Sequence, residues 1–315
     1  MTTAATPLAI GLNLPTWPRA DRSHASWAEM RALAREAEAM GVDTLWAADH
    51  LQRDLPSGER VGFWECWTIV TALAEATTRI GIGPYVACTG FRNPALLARM
   101  AATLDEVSAG RLVLGLGSGV PQRDTSWSAF GYDTARPVAR YEEAVEVVTR
   151  MLREPSLTFG GQFFRTVDAQ VVPAGPRAGG PPVWVAGLGE RTARVAARFG
   201  DAINVNLPLT GPDDMARVVS IATAACEAEG RDPGTLALTG WGRVVLDDDG
   251  LALERDGCLA GSPGEVAAAV RSFAGAGLRH MTFYIGVPDD TSRYPALTSA
   301  TLARFTRVLE AIRAG

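Results

Sequence analysis

The 315-residue chain contains no lysine, and all 30 of its basic side chains are arginine. That absence excludes Schiff-base aldolase chemistry, pyridoxal phosphate held through an imine, and a P-loop that needs its lysine for the phosphates. Histidine is scarce too. His24, His50 and His280 are the only three, and none stands four residues from another, so no dedicated metal cage is expected. Cys66, Cys88, Cys226 and Cys258 make no CxxC pair, which argues against zinc ribbons and redox dithiols. Because no run of about 18 uncharged apolar residues occurs, no membrane span is expected. Met1 to Ile10 shows neither a basic n-region nor an apolar h-region, and the expected location is the cytoplasm. A net charge of −5 supplies no basic face for nucleic acid.

What is present is 47% apolar and 21% charged, the balance of a globular chain. Its length allows two domains or one large closed architecture. Short apolar runs open at Leu8, Val42, Ile80, Leu112, Val183, Ala202, Leu236 and His280, and a segment of helical period follows each. The expected helices are Ala25 to Met40, Trp67 to Thr77, Pro94 to Val107, Val138 to Leu152, Arg191 to Phe199, Asp213 to Glu229, Glu265 to Ala274 and Pro295 to Ala314. Between Glu154 and Pro182 the period is lost. Phe159, Phe163, Val167 and Val171 among turn residues suggest a hairpin there.

Eight βα units with near-continuous apolar strands predict an α/β fold, a (β/α)8 TIM barrel, with an insertion at 154–182 after the fourth unit of a single domain over 1–315. A doubly wound open sheet would favour a GxGxxG turn after the first strand, where this chain has Asn13, Pro15 and Trp17. In a barrel, ligands bind at the C-terminal ends of the strands. Those ends carry Asn13, Asp49-His50, Tyr85-Val86 with Cys88, Gly117-Ser118-Gly119, Gly187-Leu188-Gly189 and Asn204.

Asp49-His50 pairs an acid with an imidazole that titrates near neutrality, which suits a proton donor and equally a capping Asp beside a packed His. The two glycine turns offer backbone N–H groups without bulk, as phosphate cradles do. Trp64 and Trp127 fit either an aromatic wall for a planar ring or core packing. Glu65 fits a general acid or a first-turn carboxylate favoured by the helix dipole.

Four longer stretches carry a resemblance: Ala76 to Gly83, Phe91 to Arg99, Ala102 to Asp105 and Ser108 to Gly119. Together with Trp46 to His50, Arg140 to Ala144, Pro181 to Gly187 and Ala197 to Ala202, they resemble the bacterial-luciferase-like superfamily, in its branch using the deazaflavin coenzyme F420. The resemblance runs from Leu8 to Asn204 and thins afterwards. It implies a homodimeric barrel with a non-prolyl cis peptide at a bulge near Tyr85-Val86, on which the cofactor ring rests. By the same resemblance Asp49 touches the deazaflavin, His50 is the proton donor with Tyr85 in reserve, and Cys88 lines the ring. Ser118, Gly119, Arg123, Gly187, Leu188 and Gly189 surround the phosphate and side chain.

The implied activity is hydride transfer between F420 and a small organic molecule. FMN is the alternative cofactor, for a monooxygenase served by a separate flavin reductase, and a catalytically silent flavin-binding protein is the second alternative. One departure bears on the substrate. Where the sugar-phosphate dehydrogenase of this branch has an acidic residue after the glycine matching Gly119, this chain has Val120. That change, with the lack of lysine, favours a neutral or apolar substrate.

Overall fold

The computed structural model describes residues 8–19, 21–55, 57–246, 258–285 and 297–314. The first half alternates β1 (Ala9–Asn13), α1 (Trp27–Ala39), β2 (Thr44–Ala47), a hairpin of β3 (Gln52–Asp54) and β4 (Arg60–Gly62), α2 (Cys66–Ala76), β5 (Gly81–Pro84), β6 (Ala87–Cys88), α3 (Pro94–Val107), β7 (Leu114–Gly117), α4 (Ser126–Ala129) and α5 (Pro137–Arg153). A second hairpin, β8 (Leu157–Gly160) with β9 (Arg165–Ala169), precedes β10 (Val183–Ala186), α6 (Glu190–Phe199), β11 (Ala202–Pro208), α7 (Pro212–Ala228), β12 (Ala237–Leu246), β13 (Leu259–Gly261), α8 (Pro263–Gly275), β14 (Leu278–Tyr284) and α9 (Ser299–Arg313).

The parallel strands join in the order β5-β2-β1-β14-β12-β11-β10-β7-β6. Since β5 and β6 are two halves of one stave, interrupted at Tyr85-Val86, the ring returns on itself, and the Ile82–Leu112 bridge ties β5 directly to the start of the β7 stave. The expected TIM-barrel-like α/β fold is what the chain adopts. Local chemistry sets the helix starts. Ser26 and Glu29 form a reciprocal capping box for α1, and Asn93 caps α3 just ahead of Pro94, whose missing N–H costs nothing at that position.

Several boundaries differ from the sequence expectations. Phe163 belongs to the turn of the β8–β9 hairpin, where the guanidinium groups of Arg136 and Arg140 lie 4.7 and 4.8 Å from its ring centre, and Val171 falls beyond β9. Alternation alone could not separate an aromatic that pairs in a strand from one that stacks under arginines. The β3–β4 hairpin is itself built largely of polar residues and had no apolar period to betray it. The last helix begins at Ser299, and the Pro295 expected to open it lies outside the described residues.

Inside the barrel Trp46 is wholly buried against Tyr85 and Trp184. Glycines on the neighbouring staves make room for it: a methyl group on Gly11 or Gly83 would come within 2.5 or 2.8 Å of the indole. His280 belongs to the same interior, edge-on to Trp46 and Trp184, with Nε2 2.7 Å from the Thr44 hydroxyl. Burial lowers its pKa from 6.5 to about 3. The folded protein therefore keeps this ring neutral while the unfolded chain takes up a proton, so stability is full above pH 6.5 and declines as pH falls from 6.5 toward 3. The expected slope from this one group approaches about 1.4 kcal/mol per pH unit. Urea unfolding of wild type and His280→Asn at pH 7 and pH 5 reads it; parallel pH dependence in the two proteins would acquit His280.

Candidate active site

Parallel staves place all their C-terminal ends on one rim, and there the loops after β2, β6, β7 and β10 enclose a cavity of about 740 Å³. The residues that the resemblance assigns to catalysis and cofactor binding all line it, in one place although separated by up to 140 residues of sequence (Asp49 to Gly189).

His50 lies just past β2, its ring packed against the edge-to-face Trp17–Phe63 pair at centroid distances of 5.5 and 5.4 Å. Its Nδ1 is 2.6 Å from Oδ2 of Asp124, a residue of the loop after β7. The other Asp124 oxygen accepts the Ser126 N–H at 2.9 Å. Burial would raise this carboxyl, but the hydrogen bonds from His50 and Ser126 outweigh it and hold Asp124 below the ordinary carboxylate range. Ser126 accepts in turn from the N–H groups of Leu51 and Gln52 and donates to the Gln52 carbonyl, so the two loops are stitched together. Nε2 of His50 is left as the ring nitrogen with no partner among the described residues.

Asp49 lines the cavity with its carboxylate turned into the protein. Its side chain is completely buried and both oxygens face inward, bidentate to Arg92 at 2.6 and 3.1 Å, with the Cys88 N–H donating at 2.8 Å. The carboxylate supports the floor of the cavity, with its oxygens engaged by Arg92 and the Cys88 N–H, while the residue itself lines the space. Burial raises the Asp49 carboxyl against the pull of Arg92; burial alone would lower Arg92, but the facing charge of Asp49 prevails and holds the guanidinium protonated. Arg92 extends to Glu65 at 2.7 Å, and Glu65 accepts the Thr68 N–H as the cap of α2. Glu65 is thus the helix-end carboxylate of its two sequence readings.

The Tyr85-Val86 peptide is cis, at the break between β5 and β6. Tyr85 donates its hydroxyl to Asn204 at 2.9 Å, and burial raises the phenol further. With its proton directed to Asn204 and its acidity reduced, Tyr85 stays behind His50 as a proton donor and orients the wall it lines. The bulge also explains part of the glycine pattern on β7. A methyl group on Gly117 would stand 2.4 Å from the Val86 side chain, and one on Gly119, at φ +66°, would stand 2.7 Å from Cys88 Sγ and from the Trp127 ring. Gly117 therefore serves close packing against the bulge, where the sequence had suggested a phosphate cradle.

The opposite wall is better suited to an anion. Gly187, at φ +140°, and Leu188 lead to Gly189, which caps α6 without any side-chain hydrogen bond, so the first-turn N–H groups stay open beside the cavity. Ser118 and the exposed Arg123 face the same space. Cys88 is buried and its thiol is pushed up by burial, an uncharged lining group. Trp64 donates to the Ala25 carbonyl, and Trp127 is buried against Phe91, so neither forms a wall of this cavity. The residues that sequence reasoning passed over are Asp124, Arg92, Trp17 and Phe63. For Asp124 the one visible signal was an Asp-x-Ser turn, which speaks of loop geometry and not of a partner.

No cluster of three or more His, Cys, Asp or Glu residues that could hold a metal ion occurs among the described residues, and none of the described helices is long and apolar enough to cross a membrane. A phthiodiolone/phenolphthiodiolone dimycocerosates ketoreductase of Mycobacterium bovis is 30% identical over 221 residues, 64% of this chain and 57% of that protein. An F420-dependent glucose-6-phosphate dehydrogenase of Intrasporangium calvum is 36% identical over 174 residues, 52% of this chain and 49% of that protein. The chain thus spans about half the length of the curated relatives it matches. In fold it is similar to an F420-dependent secondary alcohol dehydrogenase solved with an F420-acetone adduct, with a TM-score of 0.79 at 18% identity, covering 98% of this chain and 99% of that one. The model of the luciferase-like monooxygenase family matches residues 8–256, the stretch that contains the cis bulge, the His50 loop and both glycine turns, and the chain belongs to that family.

Proposed function

We propose that the protein is an F420-dependent oxidoreductase acting on a small, neutral organic carbonyl or alcohol. The observation that carries this reading is one cavity that brings a histidine with an unpartnered Nε2 to a flat backbone bulge and an open helix N-terminus. The residues fit a planar ring with an anionic tail. Tyr85 and Val86 would lie under the ring, while Gly187, Leu188, Gly189, Ser118 and Arg123 would meet the tail. When bound, the deazaflavin supplies or accepts the hydride.

The chain's own residues then do three things. The loops after β7 and β10 position the cofactor, the buried Asp49–Arg92 pair keeps the floor rigid, and His50 exchanges a proton with the substrate oxygen through Nε2. Val120, half-exposed on the wall, together with Trp17 and Phe63 around His50, favours an uncharged substrate.

Titrating the purified protein separately with oxidised F420 and with FMN, followed by spectral change and by oxygen uptake after reduction, tests the assignment. Saturable F420 binding with oxygen-independent turnover of a ketone or secondary alcohol is expected. Preference for FMN with oxygen consumption would replace the reading by a flavin monooxygenase, and binding without turnover of any acceptor would leave a silent cofactor-binding protein.

A further inference from the structure

We infer that Asp124 is the positioning residue that fixes the ring tautomer of His50, so that Nε2, and not Nδ1, carries the exchangeable proton. The inference deepens the proposed function and rests on it for the reaction, though not for the tautomer itself.

A carboxylate held below its ordinary range is an acceptor only, and at 2.6 Å from Nδ1 it requires a proton on that nitrogen. Neutral His50 is therefore the Nδ1–H form, with a lone pair at Nε2 directed away from Asp124. Asp49 adjoins His50 and Arg53 lies on β3 just beyond it, while Arg123, Glu190 and Arg191 line other parts of the same cavity; Asp124 is the one among them bonded to the ring. The placement is not fortuitous packing of a mobile loop. Oδ1 of Asp124 is tied to the Ser126 N–H, Ser126 is tied to Leu51 and Gln52, and the imidazole packs against the Trp17–Phe63 pair.

For carbonyl reduction by a reduced deazaflavin the step balances. The carbonyl carbon gains the hydride and its oxygen gains the proton from Nε2. The C=O π bond is replaced by C–H and O–H bonds, the deazaflavin leaves oxidised, and the imidazolium leaves as the neutral Nδ1–H ring. Asp124 accepts from Nδ1–H throughout and holds the correct tautomer once the proton has left Nε2, the positioning role of a hydrogen-bonded acid–histidine pair.

The Asp124→Asn variant should invert the arrangement for a geometric reason. The Ser126 N–H keeps the amide oxygen at the Oδ1 position, which turns the amide NH2 toward Nδ1, makes that nitrogen the acceptor and moves the proton of the neutral ring to Nε2.

The test is two-bond 1H–15N correlation on 15N-histidine-labelled protein without cofactor. Wild type is expected to show neutral His50 protonated at Nδ1, and D124N to show it protonated at Nε2. With cofactor and substrate, D124N should lose kcat by about 10²–10⁴-fold with KM little changed, and D124E should restore part of it. Ser126→Ala, which loosens the loop but leaves the carboxylate, should keep the wild-type tautomer and covers the case of D124N failing to fold. A wild-type ring protonated at Nε2, a D124N spectrum like wild type, or a tautomer change in S126A would each overturn the inference. A tautomer change in D124N without any F420-dependent turnover would uphold the pair and refute the cofactor assignment instead.

Discussion

His50→Ala is expected to lower turnover about 10²–10⁴-fold, the range for a lost acid–base group, while F420 affinity stays within a few-fold of wild type. The two parameters separate because different elements of the cavity govern them. In the proposed function, affinity rests mainly on backbone: the bulge at Tyr85-Val86, the turn at Gly187 to Gly189 and the uncapped start of α6. Proton exchange depends on one ring nitrogen. Removing the imidazole leaves Asp124 still bonded to Ser126, so the loops after β2 and β7 remain joined and the cavity keeps its wall. Stopped-flow reduction or oxidation of bound F420, beside an equilibrium titration, measures both quantities. Unchanged turnover would remove His50 from the mechanism, and lost binding would make it a structural part of the cradle.

Arg92→Leu is expected to cost about 3–5 kcal/mol of stability, the largest change foreseen for any single side chain here. The loss is not the attraction of one ion pair. Asp49 has no exposed side-chain surface, whereas Arg92 retains 13%, and deleting the guanidinium strands a carboxylate where water cannot reach it. Glu65 adds little, because it is 41% exposed and, as the cap of α2, keeps the hydrogen bond it accepts from the Thr68 N–H.

The pH dependence gives the cause away. With Arg92 gone, only the Cys88 N–H still opposes the rise in the folded Asp49 carboxyl caused by burial, so the folded variant binds a proton more tightly than the unfolded chain does at 3.8. Its deficit against wild type should therefore shrink as pH is lowered from 7 through that raised value toward 3.8. Pairing Asp49→Asn with Arg92→Leu should recover part of the loss at pH 7. Urea denaturation across this range checks both statements; a deficit independent of pH and untouched by the second substitution would mean that lost packing, not a stranded charge, is responsible.

Much of the architecture was legible in the chain because a buried parallel sheet imposes a pattern that survives in one dimension. Staves covered on both sides must be apolar throughout, and amphipathic helices must separate them, so the order of the units and even the limits of α3 could be read from Asn93, Pro94 and the period that follows. The rim residues followed from that topology. The side-chain partnerships did not. Asp49 reads as a ligand contact in sequence, and only its distance to Arg92, 43 positions away, shows it to be part of the floor. Gly117 reads as part of a phosphate turn, yet its lack of a side chain answers to Val86 on a neighbouring stave.

By itself the sequence determined the ring of staves, the rim on which chemistry sits, the exclusion of lysine-dependent mechanisms and the presence of His50 on that rim. These are properties of periodicity and composition, which each segment carries alone. The tertiary structure decided which of the rim's polar groups are committed to one another and which are left for a ligand. Hydrogen bonds and ion pairs act over about 3 Å in space with no regard to separation along the chain. Thus Asp124, 74 residues from His50, could be recognised as its partner only once the loops after β2 and β7 had been brought together.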